Sequence, residues 1–267
     1  MKLGLAGGFS LPLLGPLLGL SFAWSAISPV RAEPLPALFT AWPELAGGTV
    51  AQVPDGTSLK LEDGRVLRLD GLAPMIAGDD ATVAGLARTL LTDLALHHRL
   101  KLRGPVSGTD RYGRLRVVAL LENGDWLQAD LIAAGGGVTA PDEADRAAAP
   151  ILLKLEAAAR AARRGLWRFA RMRPLAPDQL DGKAGRFVLV EGVPDHVAVY
   201  AGSGYLDFGP GRDGFSARLD RRALTRFRHA GLALGDYEGR PLRLRGWLAF
   251  EGRPILDVDF PEQIEPP

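Results

Sequence analysis

Apolar and polar residues alternate along three short runs, 49–53, 58–61 and 66–69, and the Asp63-Gly64 dipeptide between the last two predicts a tight hairpin. The rhythm then changes. Val83, Leu86, Leu90, Leu91 and Leu94 recur at helical spacing behind Asp79 and Asp80, either of which can cap a helix. Period two returns at 100–102 and 115–121, the second run ending at an Asn123-Gly124 turn. Residues 126–134 and 142–164 then read as two helices, the last closing at Gly165 after a basic final turn. Three strands, a helix, two strands and two helices fit a five-stranded barrel with helices packed on it, the oligonucleotide/oligosaccharide-binding (OB) plan.

Residues 168–184, with Pro174, Pro177 and several basic side chains, show no clear period and read as a connection. Beyond it, runs at 186–192, 197–200, 205–208, 215–219, 241–248 and 254–260 read as strands, and Asp220 can cap a helix through His229. The pattern predicts a mainly β protein with some α structure: a barrel with three helices, then a second small β-barrel, for which an OB-like plan is one option. The expected divisions are 1–32, a lead at 33–46, a first domain at 47–169, a linker at 170–184 and a second domain at 185–267.

Composition places the chain among ordinary globular proteins: 267 residues, 47% hydrophobic and 24% charged. Residues 1–32 read as a secretory signal. Lys2 gives the positive start, 3–27 carries no charge, and Val30-Arg31-Ala32 puts small residues at the positions a signal peptidase inspects. The expectation is export to a periplasmic or extracellular space, without membrane attachment after cleavage; the alternative is an uncleaved N-terminal anchor. Removing that segment leaves 30 basic against 31 acidic residues, so no global field draws in nucleic acid and any such binding rests on local patches. The absence of cysteine excludes disulfides, thiolate metal sites and lipid attachment through cysteine.

Three segments carry a family resemblance: VAQVPDGTSLKLEDGRVLRLDGLAPM, TDRYGRLRVVALLENGDWLQADLIAAGGG and LEAAARAARRGLW, in that order. Together they resemble the staphylococcal-nuclease (thermonuclease-like) family, whose domain is an OB barrel with three helices. The resemblance implies a phosphodiesterase chemistry built from Ca²⁺, a carboxylate that activates water, and two arginines that grip the phosphate. Arg68 and Arg114 stand at the arginine positions and are the expected phosphate-binding residues. The carboxylates depart from the pattern. Where the family reads Asp-Gly-Asp-Thr, this chain reads Asp55-Gly56-Thr57-Ser58, which leaves Asp55 as the one matched metal-site carboxylate. A ligand Asp is missing between Leu72 and Ala73, and Met75 replaces the water-activating Glu. Neutral groups do not offset the dehydration of a hard dication. No residue is therefore assigned as catalytic, and Ca²⁺ is expected only if Asp70, Asp79 or Asp80 rearranges the site.

Other candidates stand apart. His97-His98 lacks a third ligand at metal spacing, and His196 and His229 are isolated. The Gly135-Gly136-Gly137 run reads as a helix end rather than a phosphate loop. Arg222, Arg226 and Trp247 are candidates for nucleic-acid binding, with Tyr205, Arg221, Arg228, Arg240, Arg243 and Arg245 as further members of a basic patch. Three functional readings stay open. The first is an exported thermonuclease-like protein without a working hydrolytic centre that binds nucleic acid or another polyanion. The second is an active metal-dependent phosphodiesterase on DNA or RNA, and the third is an envelope module that binds protein.

Overall fold

The computed structural model describes residues 35–74, 80–105, 108–209 and 214–266. The expected export segment and the first two residues of the lead, together with Met75, Asp79 and Asp213, lie outside the described residues. Among those described, no helix is long and apolar enough to cross a membrane.

The first half begins with a short helix α1 (Ala37–Thr40) and a long strand β1 (Glu44–Asp55). Then come the hairpin β2 (Ser58–Leu61) and β3 (Val66–Leu69), helix α2 (Ala81–Ala95), and strands β4 (Arg99–Arg103) and β5 (Leu115–Leu120). Helices α3 (Leu127–Ala133) and α4 (Ala149–Ala161) follow. The five strands close a barrel in the order β1-β2-β3-β5-β4, with β3 and β5 parallel. Strand alternation fills its interior: Leu59, Leu61, Leu67, Leu69, Leu100 and Leu102 are all buried, and Leu91, Leu131 and Leu152 of the helices join the same core. Asp63-Gly64 makes the expected hairpin, the Leu61 amide donating to the Arg65 carbonyl with Gly64 at φ +87°. Asp80 caps α2, its carboxylate accepting from the Thr82 and Val83 amides.

Two boundaries differ from the sequence expectation. β1 starts at Glu44 instead of residue 49, because the Ala46-Gly47-Gly48 stretch is not a loop but a β-bulge against β4. A Cβ at Gly47 would lie 2.3 Å from the Leu100 carbonyl oxygen, so only glycine permits that pairing. At α4, the helix starts at Ala149 with Pro150 in its first turn rather than at 142. Asp142 and Asp145 use their carboxylates on local amides, Asp145 Oδ1 accepting from the Asp142 amide and Asp142 Oδ1 from that of Ala144, which holds the chain in a turn. After α3 the triple glycine ends the helix as expected, and the Gly135 carbonyl accepts from the Leu166 amide.

The second half contains strands β6 (Phe187–Gly192), β7 (His196–Tyr200), β8 (Ser203–Phe208) and β9 (Phe215–Leu219), then helix α5 (Arg221–His229). Strands β10 (Leu242–Phe250), β11 (Pro254–Asp257) and β12 (Ile264–Glu265) complete it. Where the sequence pointed to a second barrel, these strands form a seven-stranded sheet ordered β12-β10-β11-β9-β8-β7, with β6 also on β10. Its core holds Val188, Val190, Leu206, Phe208, Phe215 and Phe227.

The stretch expected to be a linker is packed. It runs through short 3₁₀ turns, with Met172 and Leu180 buried. Met172 belongs to a third core in which Val83, Ala87, Ala159 and Trp167 of the first half meet Phe187 and Leu189 of β6. A buried ion network spans the same seam. Arg245 donates to both oxygens of Glu156 on α4, at 2.9 and 3.0 Å, and to Glu265 at 2.5 Å. Arg245 and Glu156 are both fully buried. Burial opposes both charges, but the pairing outweighs it, holding the Glu156 carboxyl below and the Arg245 guanidinium above its ordinary range.

Candidate functional site

The hairpin register brings the resembling residues together on one side of the barrel. Ser58 faces Arg68 across β2–β3, and Arg68 faces Arg116 across the parallel β3–β5 pair. Arg114 immediately precedes β5.

Arg68 does not pair with Asp70 or Glu62. Its guanidinium donates to three backbone carbonyls: from Nη1 to Leu69 at 2.8 Å and Thr57 at 3.3 Å, and from Nη2 to Leu72. Burial, and then the neighbouring Arg114 charge, lower its pKa. Arg68 therefore ties the β1–β2 turn to the chain leaving β3.

Arg114 closes a separate turn. Asp110 Oδ1 accepts from the amides of Tyr112 and Arg114, and Asp110 Oδ2 lies 2.8 Å from both Nε and Nη2 of Arg114. Burial works to raise the Asp110 pKa, but the hydrogen bonds from Arg114 and Tyr112 outweigh it and leave this carboxyl below its ordinary value. Arg114 Nη1 also donates to Ser58 Oγ at 2.9 Å and stands 3.9 Å from Asp55 Oδ2. At the tip of the turn Tyr112 is 66% exposed, with the Arg111 and Arg114 guanidinium carbons 4.8 and 5.2 Å from its ring centre. Arg111 forms no ion pair among the described residues; it donates to the Tyr112 hydroxyl.

Asp55 is a turn former. Its Oδ1 accepts from the amide and hydroxyl of Thr57, at 2.7 and 2.9 Å. Thus the hydroxyl standing where the family has a metal ligand is itself bonded to the one matched carboxylate. Such a donor set does not fit Ca²⁺, which takes six to eight oxygens and favours anionic ones. Among the described residues, no three His, Asp or Glu side chains converge to hold a metal ion.

Asp70, the nearest substitute, is buried and turned toward Arg116, whose Nε donates to its Oδ1 at 2.9 Å while Nη2 donates to Asp142. The guanidinium supplies this pocket with its cation. Asp145 lies behind, its Oδ2 buried without a partner, as is Asp70 Oδ2. Burial, and then the Asp142 charge, raise Asp145 to about 8; burial raises Asp70 to about 6 against the opposing effect of Arg116. Arg116, Asp142 and Asp145 were missed in the sequence. For Arg116 a signal was present: it stands in the strand run that directly follows Arg114.

The second-half candidates have separate contacts. Arg226 is held by Glu143 at 2.5 Å and covers the Phe260 ring at 4.8 Å, whereas Trp247 packs edge-on against Phe187 of β6. Arg222 is exposed on α5. Arg243 and Arg245, read as part of the same patch, are buried in ion pairs with Glu191, Glu265 and Glu156. His97 and His98 are exposed beyond α2. Compared with known proteins, the chain matches no protein-family model and no curated protein.

Proposed function

We propose that the first half is a thermonuclease-like OB domain that has lost its hydrolytic centre and binds single-stranded nucleic acid without cutting it. The observation that carries the reading is the exposed Tyr112 ring flanked by the Arg111 and Arg114 guanidiniums. An aromatic face beside cations accepts a stacked base and its phosphates together, and stacking is worth about 1–3 kcal/mol per base. Arg68 acts indirectly, by holding the turn that carries Ser58 and so the Arg114 side chain. The apolar N-terminal segment supports an exported protein that meets such polyanions outside the cytoplasm.

Fluorescence anisotropy with a labelled single-stranded oligonucleotide, titrated over a range of salt, tests this. Binding should weaken steeply with salt. Tyr112→Ala should cost about tenfold in affinity, and Arg111→Ala should reduce the salt slope by about one. Incubation of the oligonucleotide with wild-type protein and millimolar Ca²⁺, Mg²⁺ or Mn²⁺ should leave it intact. Cleavage that disappears in Arg114→Ala would support a working phosphodiesterase instead.

A second reading, a protein-binding module, is favoured by β7. This strand ends the second sheet and exposes Val199 and Tyr200, so its outer edge, unpaired among the described residues, can take up a strand from a protein partner. Absence of nucleic-acid binding at low salt leaves that reading standing.

A further inference from the structure

A basic pocket lies away from both features above, between the 3₁₀ turn Ala170–Met172 and β6, with a volume of about 250 Å³. Arg171, Arg173, Lys183 and Arg186 stand around it. Its remaining lining is apolar: Met172, Leu175, Val188 and Leu189. Arg171 is paired with Asp80, but among the described residues neither Arg173 nor Lys183 has an acidic partner.

The walls are fixed by backbone bonds. The Leu175 amide donates to the Leu189 carbonyl and the Glu191 amide to the Leu175 carbonyl, both at 2.8 Å, so the segment after Arg173 runs as an added rung on β6. On the other side, the Gly185 amide donates to the Leu248 carbonyl and the Leu248 amide to the Arg186 carbonyl, which pins the turn carrying Lys183 and Arg186 to β10. Backbone anchored on both sides fixes the positions from which the cations reach the pocket, which lowers the ordering needed when a ligand enters.

We propose that this pocket binds an organic phosphate monoester, with the phosphate on Arg173 and Lys183 and the carbon body against the apolar part of the lining. The two cations without acidic partners match the double charge of a monoester better than the single charge of a carboxylate. The volume falls just under the range of about 300–1,000 Å³ typical of drug-sized sites, which favours a ligand with one ring or a short chain. A soluble ester and the exposed headgroup of a monoester lipid present the same chemistry.

Calorimetric titration of the full chain with phenyl phosphate, inorganic phosphate and benzoate tests the assignment. Phenyl phosphate should bind at least tenfold tighter than either of the others, and Arg173→Glu with Lys183→Glu should weaken it at least tenfold. Both positions are solvent-accessible, and circular dichroism melting checks the fold, with the Gln pair as a milder variant that should show a smaller loss. Cosedimentation with phosphatidylcholine vesicles containing phosphatidic acid identifies the source: binding that phenyl phosphate displaces points to a lipid headgroup, and its absence points to a soluble ester. No phenyl phosphate binding, equal affinity for the three probes, or indifference to charge reversal would overturn the proposal.

Discussion

Arg68 and Arg114 lie at the two positions where the resembling family grips phosphate, yet their surroundings give them unequal roles. Arg68 satisfies three backbone carbonyls, so Arg68→Ala leaves acceptors without a donor and should destabilise the protein by about 2–4 kcal/mol in urea unfolding. Arg114 pairs at the surface with Asp110, and its removal should cost about 1 kcal/mol or less. Equal losses would refute this division. The acidic pocket behind Arg116 makes a second residue-level prediction. Asp145 and Asp70 are raised to about 8 and about 6, chiefly by burial, so the folded chain keeps protons that the unfolded chain releases near pH 4. The native state then binds more protons than the unfolded one, and stability should fall as pH rises from about 4 toward 8. Asp145→Asn removes the largest part of this cost. It should flatten the decline in melting temperature and stabilise the protein at pH 8 by about 1 kcal/mol or more, with little effect at pH 5. A decline of equal steepness in the variant would show that Asp145 is not its source.

Among the elements, those whose apolar residues repeat with a single period were legible in the sequence: β2, β3, α2, β5 and α5 lie within a residue or two of their expected positions. The misreadings have local causes. The first strand was expected from 49, without the bulge that only Gly47 permits beside the Leu100 carbonyl, and the last helix from 142, where the Asp142 carboxylate instead closes a turn seven residues before α4. At the candidate site, the order of motifs located Asp55, Arg68 and Arg114, but their partners are backbone carbonyls and short polar side chains that no pattern of residue types announces. β10 was the hardest case. Arg243 and Arg245 read as members of a basic patch, whereas both are buried in ion pairs and α4 brings Glu156 to Arg245 from 89 residues away. Because this pair is dry, Glu156→Gln should cost about 3–5 kcal/mol, far more than loss of the exposed Arg218–Glu251 pair. Thermal melts of Glu156→Gln and Glu251→Gln compare the two directly, and similar losses would mean that burial at the seam does not set the cost.

At the scale of the molecule, that seam decides whether the expected boundary at 169 separates two folding units. The described residues cluster as one compact unit, and the core at the junction takes Val83, Ala87 and Ala159 from the first half and Phe187 and Leu189 from the second. Cutting after 169 would expose those side chains and take Arg245 away from Glu156, leaving that carboxylate with Arg160 of α4 and the Thr139 amide. The barrel has its own core in Leu59, Leu67, Leu69 and their neighbours, so its strands have reason to form alone, but with less stability than in the intact chain. A fragment of residues 35–169 should therefore melt well below the full chain and bind a dye that reports exposed apolar surface. In that fragment Glu156→Leu should recover part of the lost stability, because it replaces a carboxylate that has lost both Arg245 bonds by an apolar side chain. In the full chain the same substitution should destabilise, since it takes from the buried Arg245 its two bonds to Glu156 and leaves Glu265 as its one acidic partner among the described residues. That opposition of sign is the strongest test of the seam: a fragment as stable as the whole, or one indifferent to residue 156, would mean that the two halves fold as independent domains.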